Sequence, residues 1–433
     1  MTFCINNLLP AEILSLIFLT LYHQSSSAPF PPLDREQMQE LREHPLLETM
    51  LVCRAWQRVV STTPALWTTI WVGRTKPVEP ESVAETGSKA EPDPWLEKLQ
   101  NRLKRSGKLP LNILIALDRL VNFDKVVDVL VQDALRWESV YLAHEDPAPM
   151  FRLATQSFRD VERLLSLPMP LLKSLHLERF RTPDGTLALH TININNPLPC
   201  LERLSCTGHL ITLMSAPRLT TVTLTDVDME RLHPPPEPCA LEFASLANVS
   251  IINSNHVLDI LSIFPAPSLR KLITDSSTDV YDDQPQKPIP AFPVFPNLEE
   301  LQWTDKGGDH QALKHLLRKS PNLRRFSNYV HGLEDSIDFD MSATTIPVFL
   351  TPSSHPEPSN SDQYCSNLED VCFDIVDCSQ IEKFVSVRSQ IKQVRLLQNP
   401  IENPELSGTS DVQQILDRLR TRTSVVLGTG SWS

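Results

Sequence analysis

The chain has 433 residues, with 53 acidic against 40 basic side chains and a formal charge of -13. That balance opposes the counterion release that drives nucleic-acid binding, so no nucleic-acid partner is expected. Eight cysteines with no CxxC pair, and no Cys/His cluster at zinc spacing, speak against a metal centre and suit a reducing compartment.

Leu9-Pro10 followed by Glu12 is a helix start: proline suits the first helical position and an early acid suits the helix dipole. Ile13, Leu14, Ile17, Phe18 and Leu21 then recur at steps of three and four, an apolar stripe on a short helix. The stretch has no cationic start and is too short to span a bilayer, so no signal peptide or membrane partner is expected. A Ser/Pro-rich, loop-like insertion follows at about 23–45.

A second periodic run, Leu46, Leu47, Met50, Leu51, Val52, Trp56 and Val59, carries Arg54 and Arg58 between its apolar positions and ends before Pro64. Pro64-Ala65-Leu66-Trp67, Ile70, Trp71 and Val72 close the region. Several amphipathic pieces in about sixty residues bury little apolar surface by themselves, so their faces need a partner.

The segments LLPAEILSLIF and LLETMLVCRAWQRVVSTTPALWTTIWV, in that order, resemble the F-box family, in a form like fungal F-box proteins with degenerate leucine-rich repeats. The resemblance implies a small three-helix domain over residues 1–73 that packs on a Skp-type adaptor, itself docked on a cullin. By transfer, Leu9, Pro10, Ile13, Leu14, Ile17, Val52, Cys53, Trp56, Leu66 and Trp67 belong to the adaptor interface or to its immediate support. The alternative for several of them is the domain's own core.

A proline-rich acidic linker occupies residues 74–94, and repeats fill 95–427. The segment Trp95 to Lys108 is predicted to be a helix ended by Gly107, and Leu109 to Leu117 a strand. A phrase then recurs: leucine, two polar residues, an apolar one, any residue, another apolar one. Examples are Leu172 to Leu177, Leu201 to Cys206, Leu298 to Trp303, Leu368 to Phe373 and Ile391 to Leu396, with Trp137 to Leu142 starting the series. Strand spacing within phrases and helical runs between them resemble a leucine-rich repeat solenoid, whose period is about 20–29 residues. The asparagine that ladders regular repeats is absent, so an irregular solenoid is expected.

The expected fold is therefore α/β: a helical F-box-like domain followed by an irregular leucine-rich repeat solenoid, with parallel strands on its concave side and helices and loops on its convex side. Mobile insertions are expected at about 275–296 and 340–367, where Asp, Ser, Thr and Pro dominate. A terminal helix around Ile415, Leu416 and Leu419 closes the last repeat.

In a solenoid, strand residues that alternate with the buried ones face outward. His176, Arg203, Thr223, Glu300, Gln302, Arg325, Tyr329, Asp370 and Arg395 are the candidate target-binding residues, and their mixed signs favour a protein partner. There is no HExxH, GxSxG or suggestive carboxylate pair, and no glycine-rich phosphate loop. No catalytic residue, cofactor or metal is expected, and the chain is read as a non-enzyme of the cytoplasm or nucleus. The resemblance makes it a substrate-recognition adaptor of a cullin-based, SCF-type ubiquitin ligase for an unknown protein substrate. The alternative is a repeat scaffold whose F-box acts outside a ligase.

Overall fold

Each repeated phrase places its two apolar side chains two residues apart, and in the structure, a computed structural model, these become inward-facing strand positions. The structure describes residues 9–25, 45–72, 94–116, 123–143, 161–178, 191–208, 210–213, 215–227, 243–254, 257–263, 266–276, 294–305, 313, 316–330, 365–373, 378–397 and 412–427. The insertion at 23–45, the linker at 74–94 and the loops at 275–296 and 340–367 lie, apart from their ends, outside the described residues. The chain forms two compact units, Met1–Arg218 and Leu219–Ser433.

The first unit begins with α1 (Ala11–Ser25), α2 (Pro45–Val52) and α3 (Arg54–Thr62), then a 3-10 turn over Pro64–Trp67. That turn runs into β1 (Thr69–Val72), followed by α4 (Pro94–Arg105), β2 (Leu111–Ala116), α5 (Phe123–Val131), β3 (Trp137–Ala143), β4 (Ser174–Leu177), β5 (Thr191–Ile194), β6 (Arg203–Thr207) and β7 (Leu210–Leu213). The predicted helix at 95–108 is thus α4, stopped where Gly107 adopts φ 62°, a left-handed conformation that glycine takes without steric penalty.

Strands β1, β2, β3, β4 and β6 pair in that order, all parallel, while β5 and β7 form a separate parallel pair. The register aligns Ile70, Ile113, Val140, Leu175 and Leu204 in one buried row, and Val72, Ile115, Leu142, Leu177 and Cys206 in the next.

The second unit contains β8 (Thr221–Thr225), β9 (Asn248–Ser254), α6 (Val257–Ile263), β10 (Lys271–Ser276), β11 (Glu300–Asp305), β12 (Arg325–Val330), β13 (Asp370–Phe373), α7 (Cys378–Val387), β14 (Gln393–Leu396), α8 (Val412–Arg420) and β15 (Ser424–Leu427). Neighbours in this series pair in parallel from β8 to β15, one strand per phrase, a solenoid-like arrangement. The expected closing helix is present as α8, which buries Ile415, Leu416 and Leu419, and β15 then adds a further strand beyond it.

A tight turn precedes the strands. The amide of Leu298 donates to the carbonyl of Phe295, Leu323 to Ser320, Leu368 to Cys365 and Ile391 to Arg388. One carbonyl then accepts two amides of the next strand: Arg270 from Glu299 and Glu300, Glu299 from Arg324 and Arg325, and Arg324 from Glu369 and Asp370. An asparagine ladder does exist, shifted to the turn: the side-chain amides of Asn297 and Asn322 donate to the carbonyls of Pro267 (2.9 Å) and Pro296 (2.7 Å), and that of Asn367 reaches Asn322 Oδ1 at 3.1 Å.

Charge alternates from strand to strand at the same level. Arg270-Lys271 stand beside Glu299-Glu300, then Arg324-Arg325, then Glu369-Asp370, then Lys392. Ion pairs follow: Lys271 Nζ to Glu300 Oε1 at 2.7 Å, Arg325 Nη2 to Glu300 Oε2 at 3.1 Å, and Lys392 Nζ to Glu369 Oε2 at 2.8 Å. In the first unit, Lys173 Nζ meets Glu138 Oε1 at 2.6 Å. Opposite charges on adjacent strands favour these pairings, and like charges would oppose setting β10 beside β12 or β11 beside β13.

Candidate functional site

The N-terminal helices close a small core of Leu14, Phe18, Val59, Val60, Leu66 and Trp67, with Leu19, Met50 and Trp56 packed against it. Leu14 and Phe18, four residues apart, point the same way from α1. Phe18 meets the half-buried ring of Trp56 edge-on at 4.9 Å, and the hydroxyls of Ser15 and Thr63 lie 3.0 Å apart, tying α1 to the end of α3. The guanidinium of Arg105 on α4 lies 4.6 Å above the Trp67 ring, and β1 begins two residues after Trp67. The helical domain therefore continues directly into the first strand of the sheet.

Of the residues expected at an adaptor interface, Leu14, Leu66 and Trp67 are core. Trp56 and Cys53 are half-buried, and Leu9, Pro10, Ile13, Ile17 and Val52 are exposed. Leu16, Leu21 and Leu51, which the sequence did not assign to the adaptor interface, join the exposed group. Leu16 (60%) and Leu21 (54%) lie on α1, and Leu51 (86%) and Val52 (55%) end α2. The signal for them is that α1 is apolar nearly all the way round, although only one side of it meets the core. An exposed apolar group of this density marks an interaction surface.

The candidate target-binding residues are divided between the two units. In the first unit, Arg203 is exposed, and His176 stacks on Tyr141 with ring centroids 4.4 Å apart. His176 Nε2 lies 3.8 Å from Glu178 Oε1, a carboxylate that also accepts the Tyr141 hydroxyl. In the second unit, Thr223, Gln302, Arg325, Tyr329, Asp370 and Arg395 are half-exposed. Glu300 is only 8% exposed and is paired on both sides, which corrects its expected place as an open surface group. Burial dominates at Asp370 and, with neighbouring Glu369, holds its carboxyl above the ordinary range despite Arg325, Lys392 and Arg395.

Among the described residues no group of three or more His, Cys, Asp or Glu side chains could hold a metal, and no helix is long and apolar enough to cross a membrane. Cys53, Cys200, Cys206, Cys365 and Cys372 are free thiols.

Among the described residues, then, a small helical domain with an exposed apolar face runs directly into a stack of parallel strands. Residues 7–72 match the family model described as F-box-like, so the chain is an F-box-containing protein. F-box domains generally bind Skp-type adaptors. No curated protein matches the chain.

Proposed function

We propose that this chain is a substrate-recognition adaptor of a cullin-based, SCF-type ubiquitin ligase. Its F-box-like domain docks on a Skp-type adaptor, and its strand stack, read as a degenerate leucine-rich repeat domain, takes a protein target. The observation that carries the reading is the exposed set Leu9, Ile13, Leu16, Ile17, Leu21, Leu51 and Val52 within the matched residues. Their partner would remove from water an apolar surface that the helices leave uncovered, at roughly 25 cal/mol per Å². The role needs no catalytic residue in this chain, because a ligase adaptor acts by holding two proteins together. The free thiols among the described residues support a cytoplasmic or nuclear setting.

Continuity of Trp67, β1 and α4 supports a stiff connection between the adaptor face and the first strands. The test is co-purification of the tagged full chain with its Skp-type adaptor and cullin, beside an Ile13→Asp/Ile17→Asp variant shown to melt normally. Adaptor and cullin should come down with the unmodified chain alone. Adaptor without cullin would instead indicate a scaffold acting outside a ligase.

A further inference from the structure

Charged residues at the strand entrances of the second unit pair with one another. Glu300 takes both Lys271 and Arg325, and Glu369 takes Lys392, so these rows present alternating, mutually compensated charge. One step along the strands, the outward row changes character. The register places Thr223 of β8, Ser250 of β9, Ile273 of β10 and Gln302 of β11 side by side, and Thr225 beside Ile252 on the next level. All six are half-exposed or exposed, and none is titratable. Adjacent strands lie about 4.8 Å apart, so four of them offer a band roughly 14 Å wide.

A partner charge buried on that band would find no free opposite charge. Glu300 and Lys271, one step back along the strands, already neutralise each other, and Asp275, one step on beside Thr304, already has an interaction of its own. An extended uncharged segment meets no such penalty. It can hydrogen-bond to Thr223, Ser250 and Gln302 while an aliphatic side chain packs on Ile252 and Ile273.

We infer that the outward face of β8 to β11 binds an uncharged, extended segment of the partner protein through this hydroxyl, amide and isoleucine band, and that the charged rows serve the fold. This rests on the reading that the repeats take the target, and it names the chemical class that they take.

The test uses the purified full chain in complex with its adaptor. Two immobilised pools of short random peptides serve as probes: one built only from uncharged residues, one admitting Asp, Glu and phosphoserine at every position. The uncharged pool should retain the complex about tenfold more strongly than the acidic pool, and high salt, which screens exposed charges, should leave that retention unchanged. Ser250→Lys, Thr223→Lys and Gln302→Lys place an unpaired charge on three different strands. Those with native melting curves should each lose the retention.

Preference for the acidic pool that is lost in these variants would overturn the inferred chemistry and leave the target face in place. Retention that survives in all the folded variants, or no retention on either pool, would overturn the face itself.

Discussion

The indole N–H of Trp67 donates to the backbone carbonyl of Val60 at 2.8 Å, inside the core of the helical domain. The other tryptophan of that core differs: the buried Nε1 of Trp56 meets no acceptor. Satisfied and orphaned donors make opposite contributions, since a buried donor without a partner costs about 1–3 kcal/mol. Trp67→Phe should therefore destabilise the domain by roughly 2 kcal/mol, combining a lost hydrogen bond with a small cavity. Trp56→Phe keeps an aromatic ring beside Phe18 and removes the orphan, so it should cost at least about 1 kcal/mol less. Urea unfolding of the two variants side by side measures the difference.

The charge ladder gives a second expectation. Glu300 is nearly buried between Lys271 and Arg325. Glu300→Lys sets three cations in a row and should destabilise the second unit on the order of 3–5 kcal/mol. Adding Lys271→Glu restores one opposite-charge contact. The double variant should be more stable than the sum of the two single changes by about 1 kcal/mol or more, read as the coupling in a double-mutant cycle.

Acid titration should expose Asp370. Its folded-state carboxyl binds a proton more tightly than the unfolded chain does, because burial and the neighbouring Glu369 disfavour the anion. Stability from such a raised group is fully present below the unfolded carboxylate range and is lost as pH rises through the folded value. At neutral pH the ionised group opposes folding, so Asp370→Asn should raise the melting temperature there. The gain should shrink to nothing in acid below the ordinary carboxylate range.

Thiol chemistry should follow burial. Cys365 is pushed up to about 12 by desolvation, with Arg388 pulling weakly the other way, and desolvation drives buried Cys206 upward too. Only the thiolate is nucleophilic. Iodoacetamide at neutral pH should label the half-buried Cys53 and Cys200 before either of these, as read by peptide mass spectrometry, and unfolding in urea should abolish the order.

Much of this was legible in the residues. Leu9-Pro10 with Glu12, and Val52-Cys53-Arg54 with Trp56, marked the helical domain. Phrases such as Leu298 to Trp303 marked the strands, because an apolar pair two residues apart behind a buried leucine has no helical counterpart.

What stayed hidden depended on neighbours distant in sequence. Leu16 and Leu21 share a helix with Leu14 and Phe18, and only the position of α3 decides which side is covered. Ile70-Trp71-Val72 looked like the close of the helical domain. Its membership of the sheet is fixed by pairing with Ile113 to Ile115, across the intervening α4. Asn297, Asn322 and Asn367 ladder from the turns, ahead of the strand positions where such asparagines are usually sought.

The central claim, docking of the F-box-like domain on a Skp-type adaptor through the exposed face of α1 and α2, is tested most directly by calorimetric titration of the full chain with purified adaptor. The unmodified chain should bind, and Ile13→Asp/Ile17→Asp, with an unchanged melting curve, should bind at least about 100-fold more weakly, as expected for loss of apolar anchors. No binding by the unmodified chain, or undiminished binding by the folded variant, would contradict it.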